Sequence, residues 1–272
     1  MNAEGLKQKA AQLRRDLARM IGPGVPGHLG GSASIMDILT ALYYGEMNHR
    51  PEDPSWPDRD RLIFSKGHAG VAQYVALADC GYFPKEDLAT LKQLGSRLQG
   101  HPDMHRVPGI EMSTGSLGQG FSVACGMAAG MKLDGLPGRV FTVVGDGELA
   151  EGQIWEAAMA ASSFHLDNLV VILDNNEIQA TDRISATFDT HPYPEKWAAF
   201  GFHVIELNGH DFDEILDAFA KARANRGSGK PTVLIAHTHK GQGFPFALDT
   251  AAFHNGTMTQ EQYAAATGEV KA

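Results

Sequence analysis

The sequence predicts an α/β protein: one doubly wound, mostly parallel sheet with helices on both faces. Two apolar runs, residues 140–144 (Val-Phe-Thr-Val-Val) and 169–173 (Leu-Val-Val-Ile-Leu), are short and nearly continuous. That is how strands buried on both faces read. Between them, residues 150–164 carry Ala and Met at helical spacing with no proline. Strand, helix and strand within about 35 residues make a crossover, so the two strands run parallel. Elsewhere too, predicted strands and helices alternate, which favours one α/β domain over 1–272.

Taken in order, residues 1–20 form an amphipathic helix with Leu6, Ala10, Leu13 and Leu17 on one stripe. Its Glu4 and Asp16, and its lack of serine, argue against a transit peptide. Gly22-Pro23-Gly24-Val25-Pro26-Gly27 matches G-x-G-x-x-G in letters, yet it follows a helix and its prolines remove backbone donors. It reads as a stiff loop that delivers His28. Ser32 or Ser34 is expected to cap a helix over 35–45. Residues 61–64 predict a short strand ending in Ser65-Lys66-Gly67-His68, followed by helices to Cys80 and over about 84–94. Residues 96–112 lack regular spacing, and a loop of that length points to function.

A further helix is expected to about Leu133, opened by Ser113-Thr114-Gly115-Ser116-Leu117-Gly118-Gln119-Gly120. Inside it stand Gly126 and Gly130, each costing about 1 kcal/mol relative to alanine. Such glycines suit a face where another backbone comes close, either at a subunit interface or within the chain. Past the central unit, the reading is loop over 181–194, a short helix over 195–200, a strand over 202–207, a helix over 212–224 and a last strand over 231–236. Residues 237–258 form a long loop, and 259–272 a closing helix and tail.

Composition bounds the function. A net charge of −9 argues against a nucleic-acid surface, which needs clustered Lys and Arg. No apolar run approaches the roughly 18 residues of a membrane span. The two cysteines, Cys80 and Cys125, form no CxxC pair, and a reduced, cytoplasmic setting fits them.

The chemistry is concentrated at the ends of the two central strands, Gly145-Asp146-Gly147 and Asp174-Asn175-Asn176. Parallel strands bring both ends to one carboxyl edge, where open α/β sheets bind ligands. A carboxylate, an amide oxygen and a free carbonyl are hard donors suited to Mg²⁺ or Ca²⁺. Glycines beside Asp146 admit a bulky anion to the main chain. Either motif by itself also suits an ordinary turn; together they suggest a metal–diphosphate site.

GDG, then the 27 residues Glu148 to Asp174, then NN resembles the thiamine diphosphate motif of transketolase-type enzymes, and GDGELAEG followed by WEA is most similar to transketolase itself. The resemblance extends from Leu6 to about Met258 and matches the amino-terminal part of the family's chains. It implies the thiamine diphosphate-binding fold, with Mg²⁺ (or Ca²⁺) held by Asp146, Asn176 and the carbonyl of Ile178. It also implies that Gly145, Gly147, Glu148, Gly115, Ser116 and Leu117 line the cofactor, and that Glu151 and Glu156 link two active sites, Glu151 beside the cofactor.

Twelve histidines are present, and His28, His68, His101 and His254 all fall in loops expected at one sheet edge. None shows the spacing of a zinc chelate. The resemblance implies that His68 and His254 face the diphosphate and that His28 and His101 act on substrate. The chain departs from the family at Ser116, where proline is usual, and at Asn255, which stands between His254 and Gly256 of the usual His-Gly pair. The implied activity is transfer of a two-carbon ketol unit between sugar phosphates. The implied partner is a carboxyl-terminal subunit carrying the pyrimidine-side domain, in an α₂β₂ assembly. Alternatives are the alpha chain of a 2-oxo acid dehydrogenase, a deoxyxylulose phosphate synthase, or a silent cofactor-binding regulatory subunit.

Overall fold

The computed structural model describes residues 1–268; the expected tail beyond them lies outside the described residues. Five strands form one sheet: β1 (Arg61–Phe64), β2 (Val140–Gly145), β3 (Leu169–Asn175), β4 (His203–Asn208) and β5 (Thr232–His237). Every pairing is parallel and the order is β1-β2-β3-β5-β4. In register, Gly145 stands opposite Asp174 and Asn175 opposite His237. The carboxyl ends of β2, β3 and β5 therefore lie side by side.

Why the central strands read as unbroken apolar runs is visible in the packing. Phe141, Val143, Val170, Ile172 and Leu234 join one core with α1 (Ala3–Ile21), α3 (Met36–Ala41), α4 (Gly70–Cys80) and α9 (Phe212–Ala224). Val140, Val144, Val171, Val233 and Ile235 join a second core with α5 (Gln119–Leu133), α6 (Gly152–Ser163) and α8 (Tyr193–Ala199). Alternate residues serve opposite faces, and both faces are covered. The remaining helices are α2 (Leu29–Ser34), α7 (Ile184–Thr187) and α10 (Gln260–Thr267). No helix among the described residues is long and apolar enough to cross a membrane.

Three sequence readings change and a fourth narrows. The helix expected over 35–45 is instead α3 and a π-helical turn, Leu42–Glu46, with a further short helix, Leu29–Ser34, before them. Ser32 and Ser34 do not cap it, because their hydroxyls are buried and donate to the Ala69 carbonyl and to Asp174. The helix over 84–94 shortens to a 3₁₀ segment, Lys85–Thr90. The loop over 181–194 contains the single turn α7 and runs into α8 early. Finally, Gly126 and Gly130 do not pack within the chain, for a Cβ at either would meet nothing within 4 Å.

Local signals hold the other termini. Asp211 accepts from the amides of Asp213 and Glu214 at the start of α9. Thr259 and Gln262 form a reciprocal capping box on α10.

Glycine decides how closely the loops at the carboxyl edge approach. A Cβ at Gly67 would lie 2.6 Å from the Gly115 nitrogen and 2.7 Å from the Thr114 carbonyl carbon. One at Gly120 would lie 2.7 Å from the Ser65 Cα. The loop after β1 and the loop before α5 thus touch backbone to backbone. Gly67→Ala should force them apart at an overpacking cost of about 1–3 kcal/mol. Thermal unfolding that leaves the melting temperature unchanged would contradict this close approach.

Candidate active site

A buried ion pair lies under the edge. Lys66, at the end of β1, pairs with Asp174, at the end of β3, and both are buried. Lys66 Nζ also donates to the Gly31 carbonyl at 3.0 Å. Asp174 further accepts from Ser34 Oγ at 2.5 Å, from Asn176 Nδ2 at 3.1 Å and from Thr238 Oγ1. Although burial raises the carboxyl, Lys66 and these hydroxyls outweigh it and hold Asp174 below the ordinary carboxylate range.

Above this pair a cavity of about 140 Å³ opens, where a single water needs about 10–15 Å³. Asp146, Asn176, Ile178, His68, His254 and Lys240 are among its walls. Asp146 accepts from the amides of Gly147 at 2.8 Å and Glu177 at 2.5 Å. Glu177 has φ of 64°, a left-handed conformation between the two residues expected to bind metal. Burial, and then the Asp174 charge, push Asp146 up to about 6, so the site favours an added positive charge. Asn176 Oδ1 accepts from the Ile178 amide at 3.2 Å. The Ile178 carbonyl accepts from Lys240 Nζ at 2.8 Å and keeps its second lone pair.

Among the described residues, no three His, Cys, Asp or Glu side chains gather as a metal cluster. A cation here would rely on one carboxylate, one amide oxygen and one carbonyl, the donor set of a hard divalent ion. The residues fit the expected metal and diphosphate.

The four histidines converge as expected. Ring centroids are 5.3 Å apart for His28–His68, 5.9 Å for His28–His101, 5.6 Å for His28–His254 and 4.8 Å for His68–His254. His68 and His254 line the cavity, while His101 is exposed and outside its lining. Lys240 Nζ lies 3.2 Å from His254 Nδ1; an ammonium only donates, so His254 carries its proton on Nε2. Burial, reinforced by Lys66, His254, His28 and Lys240, lowers His68 to about 2. Burial with His254, Lys92, His101 and Lys240 lowers His28 to about 4, and burial with Lys240 and Lys66 does the same to His254.

Other expected site residues divide. Gly145, Gly147 and Leu117 line the cavity. Gly115 (φ 151°) packs against the His101 ring, where a Cβ would come within 3.0 Å. Glu148 lines the wall but is a loop clamp. Its carboxylate takes Ser65 Oγ at 2.5 Å and the amides of Gly118 at 2.8 Å and Gly145 at 3.0 Å. Ser116 is exposed, with no side-chain hydrogen bond among the described residues, and is not in the cavity wall. Glu151 and Glu156 are also exposed and outside the cavity wall, with Glu151 packed beside Gly118.

Sequence reasoning missed three cations. Lys66 stood inside a motif already noticed and Lys240 in the long loop over 237–258, but their burial depends on tertiary partners. Lys92, with φ of 60°, donates to the Pro26 carbonyl at 2.6 Å. It helps to hold both His28 and His101 neutral.

A stability prediction follows from the neutral histidines. Their folded pKa values lie below 6.5, so the unfolded chain binds more protons once pH falls under 6.5. Their contribution is complete above that pH and is lost as pH drops towards 4. Denaturant unfolding at pH 7.5 and 5.0 should give lower stability at pH 5.0, with a smaller difference in a His28→Asn/His254→Gln variant. An equal pH slope in both proteins would contradict the burial argument.

Comparison with known proteins accounts for this arrangement. Residues 7–270 match the family model described as transketolase, thiamine diphosphate binding domain. A protein named 6-deoxy-6-sulfo-D-fructose transketolase subunit SqwG, from a Clostridium species, is 46% identical over 266 residues, covering 98% of this chain and 96% of its own. A protein from Phocaeicola vulgatus, named as one of the subunits of apulose-4-phosphate transketolase, is 39% identical over 270 residues, covering 99% and 95%. The crystal structure of transketolase from Campylobacter jejuni superposes with a TM-score of 0.90 at 34% identity, covering 98% of this chain and 43% of that one. The chain thus spans less than half of that enzyme and nearly all of the two subunits. It belongs to the transketolase family, the enzymes of thiamine diphosphate-dependent ketol transfer, and corresponds to their thiamine diphosphate-binding, amino-terminal domain.

Proposed function

We propose that this chain is the cofactor-binding subunit of a two-chain transketolase. The partner would be a carboxyl-terminal subunit in an α₂β₂ assembly. The observation that carries the reading is one cavity lined by Asp146, Asn176 and Ile178 together with His68 and His254. Asp146, Asn176 and the Ile178 carbonyl would hold Mg²⁺ or Ca²⁺ against a diphosphate. When bound, thiamine diphosphate supplies the carbanion that takes up the two-carbon unit and passes it on.

The chain's own residues would bind, orient and move protons. His68 and His254 serve the cofactor side. His28 and His101, kept neutral by burial and by Lys92, are able to accept and return a hydroxyl proton at neutral pH. Exposed Lys92, whose charge reaches His28 and His101, supports a substrate with an anionic end. The relatives' names, which mention a sulfonated fructose and apulose 4-phosphate, favour a specialised sugar over the ordinary pentose phosphates.

An outward apolar face supports assembly. Gly126 and Gly130 leave α5 smooth, and near them Leu133, Met159 and Phe164 are 88%, 54% and 66% exposed. Glu151 and Glu156 would meet their counterparts only across such a contact. Free thiols at Cys80 and Cys125 suit the cytoplasm.

Two experiments test this. The purified chain should turn over no ketose phosphate or sulfonate until a carboxyl-terminal transketolase subunit from the same genome is added; equal rates with and without it would refute the two-chain reading. In the assembled protein, Asp146→Ala should abolish the melting shift produced by Mg²⁺ plus thiamine diphosphate. An unchanged shift would remove Asp146 from the metal site.

A further inference from the structure

Gln179 lines this cavity and carries a buried side-chain nitrogen without a partner among the described residues, and the inference from it rests on reading the cavity as a diphosphate site. The residue is held at both ends of its peptide unit. Its N–H donates to the Asp182 carbonyl at 3.0 Å, and its carbonyl accepts from Lys240 Nζ at 2.9 Å. The side chain lies across Gly147: a Cβ there would come within 2.9 Å of Gln179 Cβ and 3.4 Å of its Oε1. Only glycine at 147 leaves room for it. Gln179 lines the cavity with Asp146, Asn176 and Lys240, yet its Nε2 is buried with no hydrogen-bond partner among the described residues.

A buried amide N–H left unpaired costs about 1–3 kcal/mol, a cost that disappears when a ligand oxygen arrives. The neighbours determine which kind of oxygen. Lys240 already directs its ammonium at Ile178 O, Gln179 O and His254 Nδ1, so its three donors are committed. The Asp146 and Asn176 oxygens accept amide protons and suit a cation. What the cavity lacks is an acceptor for Gln179, and an anion bridged to that cation provides one. We infer that Gln179 is a cofactor-binding residue whose side-chain amide donates to a non-bridging oxygen of the diphosphate.

The test uses the full chain with Mg²⁺ and, separately, inorganic pyrophosphate, thiamine diphosphate or orthophosphate, read by titration calorimetry and melting shift up to millimolar ligand. Wild type should bind both diphosphates. Gln179→Leu should weaken them on the order of tenfold or more, as expected for a hydrogen bond to a charged group. Its ligand-free melting temperature should not fall, because the variant removes an unpaired donor. Gln179→Glu, which keeps the shape and adds a negative charge, should weaken binding further and decides the matter should Gln179→Leu not fold. Unchanged pyrophosphate affinity in the variants would overturn the assignment. Loss confined to orthophosphate would overturn it too, giving Gln179 to a sugar phosphate instead. If wild type binds neither diphosphate, the diphosphate reading of the cavity fails, and this inference fails with it.

Discussion

The Lys66–Asp174 pair is the interaction on which the carboxyl edge depends. It joins the end of β1 to the end of β3 across β2, and through Gly31, Ser34, Asn176 and Thr238 it reaches α2 and the loops after β3 and β5. Two charges buried this deeply repay their desolvation only when every remaining donor and acceptor is matched, and here Asp174 takes all four of its donors from side chains. Removing either partner would leave an uncompensated buried charge, at about 3–5 kcal/mol. The pair also sets the electrostatics above it. Asp174 raises Asp146, which then favours a cation, and Lys66 helps to keep His68 and His254 neutral.

Around that centre the chain separates binding from positioning. Glu148 shows the distinction best. It stands in the middle of the glycine loop that reaches the cofactor cavity, yet its carboxylate is wholly occupied in tying Ser65, Gly118 and Gly145 together. Glu177 works similarly through its backbone: its left-handed turn directs its amide at Asp146 while Asn176 and Ile178 face the cavity. Backbone strain of this kind persists where surrounding contacts enforce it. By contrast, Ser116, Glu151 and Glu156 lie on the surface of this chain, where a second subunit would have to complete whatever they do.

Much of this was legible in the sequence, for reasons of short range. The apolar runs at 140–144 and 169–173 marked strands because each side chain is buried on one face or the other. Gly145-Asp146-Gly147 and Asp174-Asn175-Asn176 marked adjacent strand ends, because a helical crossover leaves parallel strands no other arrangement. The four histidines followed from their loops and from the family's motifs. Where periodicity misled, at 35–45 and 84–94, tertiary demands outweighed propensity. Ser34 gave its hydroxyl to Asp174, and the segment after Pro84 kept only a 3₁₀ turn.

The sequence by itself determined the elements and the identity of the donors, since both depend on residues a few positions apart. Tertiary structure alone decided which charges are buried together. Lys66 and Asp174 are 108 positions apart, and Lys240 reaches Ile178 across 62. They meet because β5 inserts between β3 and β4, bringing the loop after His237 against the metal loop. The strength of such a contact depends on burial, and burial exists only once the sheet order is set.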